Sequence, residues 1–108
     1  MKQRGGRMAY LGVIRGSGTV RSGGLEHGRA DYDLDGFLTS PGEVVASGEI
    51  RMDGVALAQV MGRNDVQLTT DQGRVFNVRF SAQRSNSPAG AAHADVGGDL
   101  PPARDWKR

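Results

Sequence analysis

The residues best suited to chemistry stand together at Asp31-Tyr32-Asp33-Leu34-Asp35-Gly36, three carboxylates spaced two apart and followed by glycine. Carboxylate oxygens are hard donors, and several of them around a glycine bend can wrap a calcium ion. Little else in the chain has a comparable concentration of reactive groups. There is no cysteine, which excludes disulfides, thiol nucleophiles and cysteine-bound zinc. The two histidines, His27 and His93, do not form a pair with metal-ligand spacing. No Gly-x-Ser-x-Gly elbow presents a serine nucleophile. Gly16-Ser17-Gly18 and Gly23-Gly24 are rich enough in glycine to approach a phosphate. A phosphate cradle must open into a helix, however, and Thr19-Val20-Arg21 reads as extended. These absences point to a chain that is not an enzyme and needs no cofactor.

The aspartate run resembles the EF-hand calcium loop. Asp31, Asp33 and Asp35 match its first three carboxylate positions, Gly36 matches its glycine, and Leu38 falls where that loop has an apolar residue. The loop should end in a bidentate glutamate, but Gly42 stands at that position and Glu43 comes one residue late. Both flanking helices are missing from the pattern. Gly23, Gly24 and Gly28 lie upstream, each costing about 1 kcal/mol in a helix. Downstream come Pro41, Gly42 and Gly48, with strand-favouring Val44-Val45 and Ile50. The run therefore reads as a strand with Ala30, Tyr32 and Leu34 inward and Arg29, Asp31 and Asp33 outward; calcium binding at Asp31–Asp35 is a minor alternative.

The elements that must carry these side chains follow from period-two patterning. The strongest signal lies between Asp65 and Ser81. Val66, Leu68 and Thr70 alternate with Gln67 and Thr69, then Phe76, Val78 and Phe80 alternate with Asn77 and Arg79 across Asp71-Gln72-Gly73. Such alternation means one dry face and one wet face, hence an antiparallel hairpin. Met8–Arg21 reads as a long strand broken at Gly16-Ser17-Gly18, Ser22–Gly28 as a connection and Ser40-Pro41-Gly42 as a turn. Val44–Met52 reads as a strand with Val44, Ala46, Ile50 and Met52 on one face and Glu49 and Arg51 on the other. Asp53 to Gly62 breaks the alternation: Asp53 can cap a short helix, Leu57, Val60 and Met61 share a side, and Gly62 can end it.

Three strands, a short helix and two strands make a mainly β chain, a small five-stranded antiparallel barrel or roll. In element order it resembles the OB-fold. The barrel is expected over residues 8–81, with a basic arm at 1–7 and a disordered Ala/Gly/Pro-rich tail at 82–108 in which Trp106 is part of an unstructured end.

Charge narrows the function. The net charge is +2, but residues 1–7 alone carry Lys2, Arg4 and Arg7, while residues 8–81 hold seven arginines against nine acids. The folded part is thus slightly acidic, and five of its seven arginines, Arg15, Arg21, Arg29, Arg51 and Arg79, are interleaved with carboxylates. Mixed charge suits a polar protein contact better than a polyanion. The expected function is a cytoplasmic, non-catalytic binding or adaptor module without a membrane span, whose partner is another protein or a second copy. Its expected surface is the wet face with Arg29, Asp31, Asp33, Glu49 and Arg51, and strand addition at Met8–Ile14 or Val75–Ser81 is one route to it. Single-stranded nucleic-acid binding is the alternative, and it would depend on Tyr10 or Phe37 for stacking because Tyr32, Phe76 and Phe80 fall on the core face.

Overall fold

A computed structural model describes residues 8–40, 42–83 and 90–107. The expected basic arm and Pro41 of the expected turn lie outside the described residues. β1 (Met8–Ser22) and β2 (Leu25–Thr39) form one long antiparallel hairpin. Gly23 and Gly24 make its two-residue loop with φ of +58° and +80°, the mirror-image turn that matches strand twist and excludes most L-residues. The connection is thus shorter than Ser22–Gly28, and His27 belongs to β2. Nor is β1 interrupted at Gly16-Ser17-Gly18; it runs through, with register shifts at Tyr10/Gly12 and Val20/Arg21.

β3 (Val44–Met52) lies beside β2, with Ala30 opposite Met52 and Leu38 opposite Val44. α1 (Gly54–Val60) follows. Asp53 caps it, its Oδ2 accepting from the Ala56 N–H at 3.1 Å, and Ala56, Leu57 and Val60 are buried. β4 (Val66–Thr70) and β5 (Val75–Gln83) form the hairpin read from the sequence, with Val66 opposite Val78 and Leu68 opposite Phe76. Its turn is closed by the Thr70 N–H on the Arg74 carbonyl at 2.8 Å and the Gly73 N–H on the Thr70 carbonyl at 2.9 Å. Val66, Leu68, Thr70, Phe76, Val78 and Phe80 are all buried, as the alternation requires.

The sheet is a mainly β, closed antiparallel ring, but it has six strands rather than five. β6 (Ala91–Gly98) lies between β3 and β5, with Ala46 opposite Val96 and Val96 opposite Val78. The ring order is β1-β2-β3-β6-β5-β4, and it closes where Gly18–Ser22 pairs with Val66–Thr70. The disordered tail expected from Ala82 is corrected accordingly: Ala82 and Gln83 extend β5, and residues 90–107 are ordered parts of the barrel. Ala92, Ala94 and Val96 are small, so their composition reads as loop, yet each is buried. β6 also satisfies the hydrogen-bonding edges of two neighbours at once, which a lone small-residue strand could not do for itself.

Beyond β6 the chain crosses one mouth of the barrel as a strap. A 3-10 turn at Ala103–Asp105 leads to Trp106, which is buried rather than part of an unstructured end. The indole lies against Gly36, where an added Cβ would sit 2.5 Å from Trp106 Cε3. Its Nε1–H donates to the Pro101 carbonyl at 3.1 Å. Lys107 then pairs with β1, the Val13 N–H donating to its carbonyl at 2.6 Å and its own N–H donating to Val13 at 3.3 Å. The largest fully buried side chains are Phe76, Leu34, Ile50, Leu57, Leu68, Val20 and Val60, which fill the interior. Among the described residues no helix is long and apolar enough to cross a membrane.

Candidate functional site

The predicted charged residues do share one surface. Along β2 and β3, Asp31 is opposite Arg51 and Asp33 is opposite Glu49, and across β1 Ser17 faces Asp31 and Arg15 faces Asp33. The groups are already mated, however. Arg29 reaches over Thr19 to grip Asp71 with two 2.8 Å bonds. Arg15 Nε holds Asp33 at 2.9 Å, Arg51 holds Glu49 at 2.8 Å, and the Ser17 hydroxyl donates to Asp31 at 2.6 Å. The Arg29 guanidinium lowers the pKa of Asp71, and the carboxylate in turn raises that of Arg29. What remains for a partner is a concavity of about 340 Å³ bordered by Arg29, Asp31 and Arg51.

The EF-hand geometry does not form. Asp31, Asp33 and Asp35 project from an extended strand, where alternate residues are roughly 6.5 Å apart. Each accepts from a different donor, Ser17, Arg15 and the Tyr10 hydroxyl respectively. Among the described residues no three His, Asp or Glu side chains are grouped to hold a metal ion.

Closure also covers part of the Val75–Ser81 edge expected to recruit a strand. Phe76–Val78 has β4 on one side and β6 on the other. Along β1, Gly18–Ser22 is flanked on both sides, and Lys107 pairs with Val13.

A larger feature is on the outer face of the sheet, where β3, β6, β5 and β4 are joined by Met8 of β1 and Phe37 of β2. It is a groove of about 880 Å³. Met8, Phe37 and Val45 form its apolar side, while Asn64, Gln67 and Asn77 supply amides on the other. Gln67 and Asn77 are paired in register, and the Gln67 Nε2 donates to Asn77 Oδ1 at 3.4 Å. Gly97, opposite Asn77, deepens the floor: a Cβ there would meet no atom within 4 Å. Arg79 and Asp95 lie opposite each other in the same groove. Among the described residues neither side chain makes a hydrogen bond or ion pair. Asp65, by contrast, is gripped by Arg63 through two 3.0 Å bonds, and its pKa is lowered by that contact.

The alternation places Arg79 on a wet face, but no strand expected from the sequence brings it together with Gly97 and Asp95. The signal was present in the alternation Ala92, His93, Ala94, Asp95, Val96.

One further constellation has the order of a nucleophile, base and orienting group: Ser22 Oγ lies 3.0 Å from His27 Nε2, and His27 Nδ1 lies 3.4 Å from Gln59 Oε1. Ser22 is only 5% exposed, and the second contact is too long to orient an imidazole firmly. The bonds account for a buried hydroxyl beside the hairpin turn. No family model, curated protein or solved structure matches the chain.

Proposed function

We propose that the protein is a cytosolic, non-catalytic binding module that receives an extended segment of another protein, or of a second copy, in the groove floored by Gly97. The observation that carries this reading is the groove itself. Its volume of about 880 Å³ falls within the roughly 300–1,000 Å³ common for ligand sites. It also combines an apolar wall with amides suited to peptide backbone. Its charges Arg79 and Asp95, unpaired among the described residues, oppose each other in sign, which fits a mixed polar segment better than a polyanion.

A second reading, single-strand binding by an OB-like barrel, has one observation in its favour. The Tyr10 and Phe37 rings lie 5.5 Å apart between centroids, and Phe37 borders the groove, so a base could stack there.

Peptides selected from a random displayed library and a labelled oligothymidine would be titrated into the full chain and followed by amide shifts. Peptide binding should move residues 45–47, 77–79 and 95–97. Gly97→Phe, whose side chain enters open space, should keep the fold and abolish binding. Equal affinity for wild type and Gly97→Phe would remove the groove from consideration. Oligothymidine binding that falls steeply with salt would favour the second reading. A monomer at high concentration would rule out the second copy.

A further inference from the structure

We propose that the strapped mouth of the barrel is a second, separate binding site, for a small planar ligand that presents an acceptor oxygen on an apolar body. The site is a cavity of about 210 Å³ that shares no lining residue with the groove. Water occupies ~30 Å³ per molecule in the liquid, so the space is several waters large. Ile14, Phe76 and, from the strap, Pro101 give it apolar walls; Tyr32, Thr70 and Arg74 supply the polar ones.

The observation that marks it as a site is the Tyr32 hydroxyl. Tyr32 is 5% exposed, and among the described residues its hydroxyl has no hydrogen-bond partner. Among the described residues the other buried side chains with a polar atom are satisfied, Ser22 by His27, Thr70 by the Arg74 N–H at 3.0 Å and Trp106 by the Pro101 carbonyl. Leaving a buried donor unmatched is unfavourable, and the hydroxyl is not sealed in, since no wholly enclosed polar atom lacks a partner among the described residues. It is therefore available to the cavity that Tyr32 lines. Its position is also held. The ring packs edge-on against Phe76 with centroids 5.5 Å apart. Gly16 leaves room for the phenol, since a Cβ there would lie 2.5 Å from the hydroxyl oxygen.

The chemistry of the lining selects the ligand. Burial, and then the charge of Asp71, raise the Tyr32 pKa, so the phenol stays a donor. Thr70 Oγ1 accepts from the Arg74 backbone, which leaves its own proton to give. The Arg74 guanidinium, tethered to Asp99 at 3.3 Å, adds N–H donors. Three donors around apolar walls call for a carboxylate or amide oxygen on a flat ring. Asp71, whose charge reaches the Tyr32 hydroxyl, Asp105 on the strap and Asp33, which pairs with the rim residue Arg15, set the negative charge that an anionic ligand would face.

Benzoate and benzamide serve as probes, titrated into the full chain while Trp106 fluorescence and the amide shifts of Thr70–Arg74 are recorded. The chain has one tryptophan, in the strap. At least one probe should bind saturably at or below about 10 mM, a free energy near −3 kcal/mol, and shift Thr70–Arg74 and Trp106 together. Benzoate alone would identify the oxygen as a carboxylate, benzamide alone as a neutral carbonyl. Tyr32→Phe, which removes one oxygen and keeps the ring, should weaken binding about tenfold, and Arg74→Gln by at least threefold. Absence of saturation by either probe, or equal affinities for wild type and both variants, would overturn the proposal and leave the cavity to water. The groove variant Gly97→Phe should bind the probes as wild type does, so failure of either site is seen separately.

Discussion

At the scale of single residues, the contact between Trp106 and Gly36 is the tightest test of how the strap is held. The indole occupies the space a β-carbon would need at Gly36. Gly36→Ala must therefore displace the ring or shift two strands, an overpacking cost of about 1–3 kcal/mol. Trp106→Ala removes a buried aromatic and should cost about 3–5 kcal/mol. The two effects are not independent, because once the indole is gone the added methyl meets an empty space. The double variant should be no less stable than Trp106→Ala alone, giving a coupling of about 1–3 kcal/mol. Denaturant unfolding of the four proteins measures it. Additive losses would mean that the ring does not rest on that glycine in solution.

At the scale of elements, legibility tracked how much apolar area each segment declares. The β4–β5 hairpin announces itself through Phe76, Val78, Phe80 and Leu68, and the short helix through the Asp53 cap and the Leu57–Val60 side. The charged surface of β2 and β3 was equally readable, since alternation alone puts Asp31 and Arg51 outside. β6 was not readable by composition: alanine contributes little area, and the neighbouring prolines and glycines have the look of a disordered tail. The groove is illegible for the same reason, being an apposition of strands that includes β6. Whether Ala91–Gly98 is structural or decorative is decided by truncation. A chain ending at Gln83 leaves β3 and β5 without their shared neighbour and opens the ring beside Ala46 and Val78. It should lose cooperative thermal unfolding and bind a hydrophobic dye. A chain ending at Gly98 retains all six strands and should still unfold cooperatively, at lower denaturant than the full chain because Trp106 is gone. A cooperative transition in the Gln83 truncation would show that β6 is dispensable.

At the scale of the whole molecule, the ion pairs act as ties around the ring rather than as isolated contacts. Arg15 joins β1 to β2, Arg29 crosses β1 from β2 to the β4–β5 turn, and Arg74 ties that turn to Asp99 after β6. All are exposed, so their worth is screened by solvent, but their response to acid has a definite sign. Asp71 and Asp65 have folded-state pKa values lowered from 3.8, chiefly by hydrogen bonds from Arg29 and Arg63. A carboxylate with a depressed folded-state pKa binds protons more readily in the unfolded chain. Its stabilising contribution is complete above the unfolded value and is lost as pH falls through the folded one. Below about pH 4 the chain also gains positive charge as its carboxylates protonate, starting from a net +2, and self-repulsion adds to the loss. Thermal midpoints should therefore change little in response to these two groups between pH 7 and pH 5 and fall below about pH 4. Asp65→Asn/Asp71→Asn should start lower at neutral pH and fall less steeply, because the groups responsible for part of the slope no longer titrate. Parallel curves for the two proteins would mean that neither pair forms in solution, and the tie from β2 across β1 to the β4–β5 turn would be carried by backbone hydrogen bonds alone.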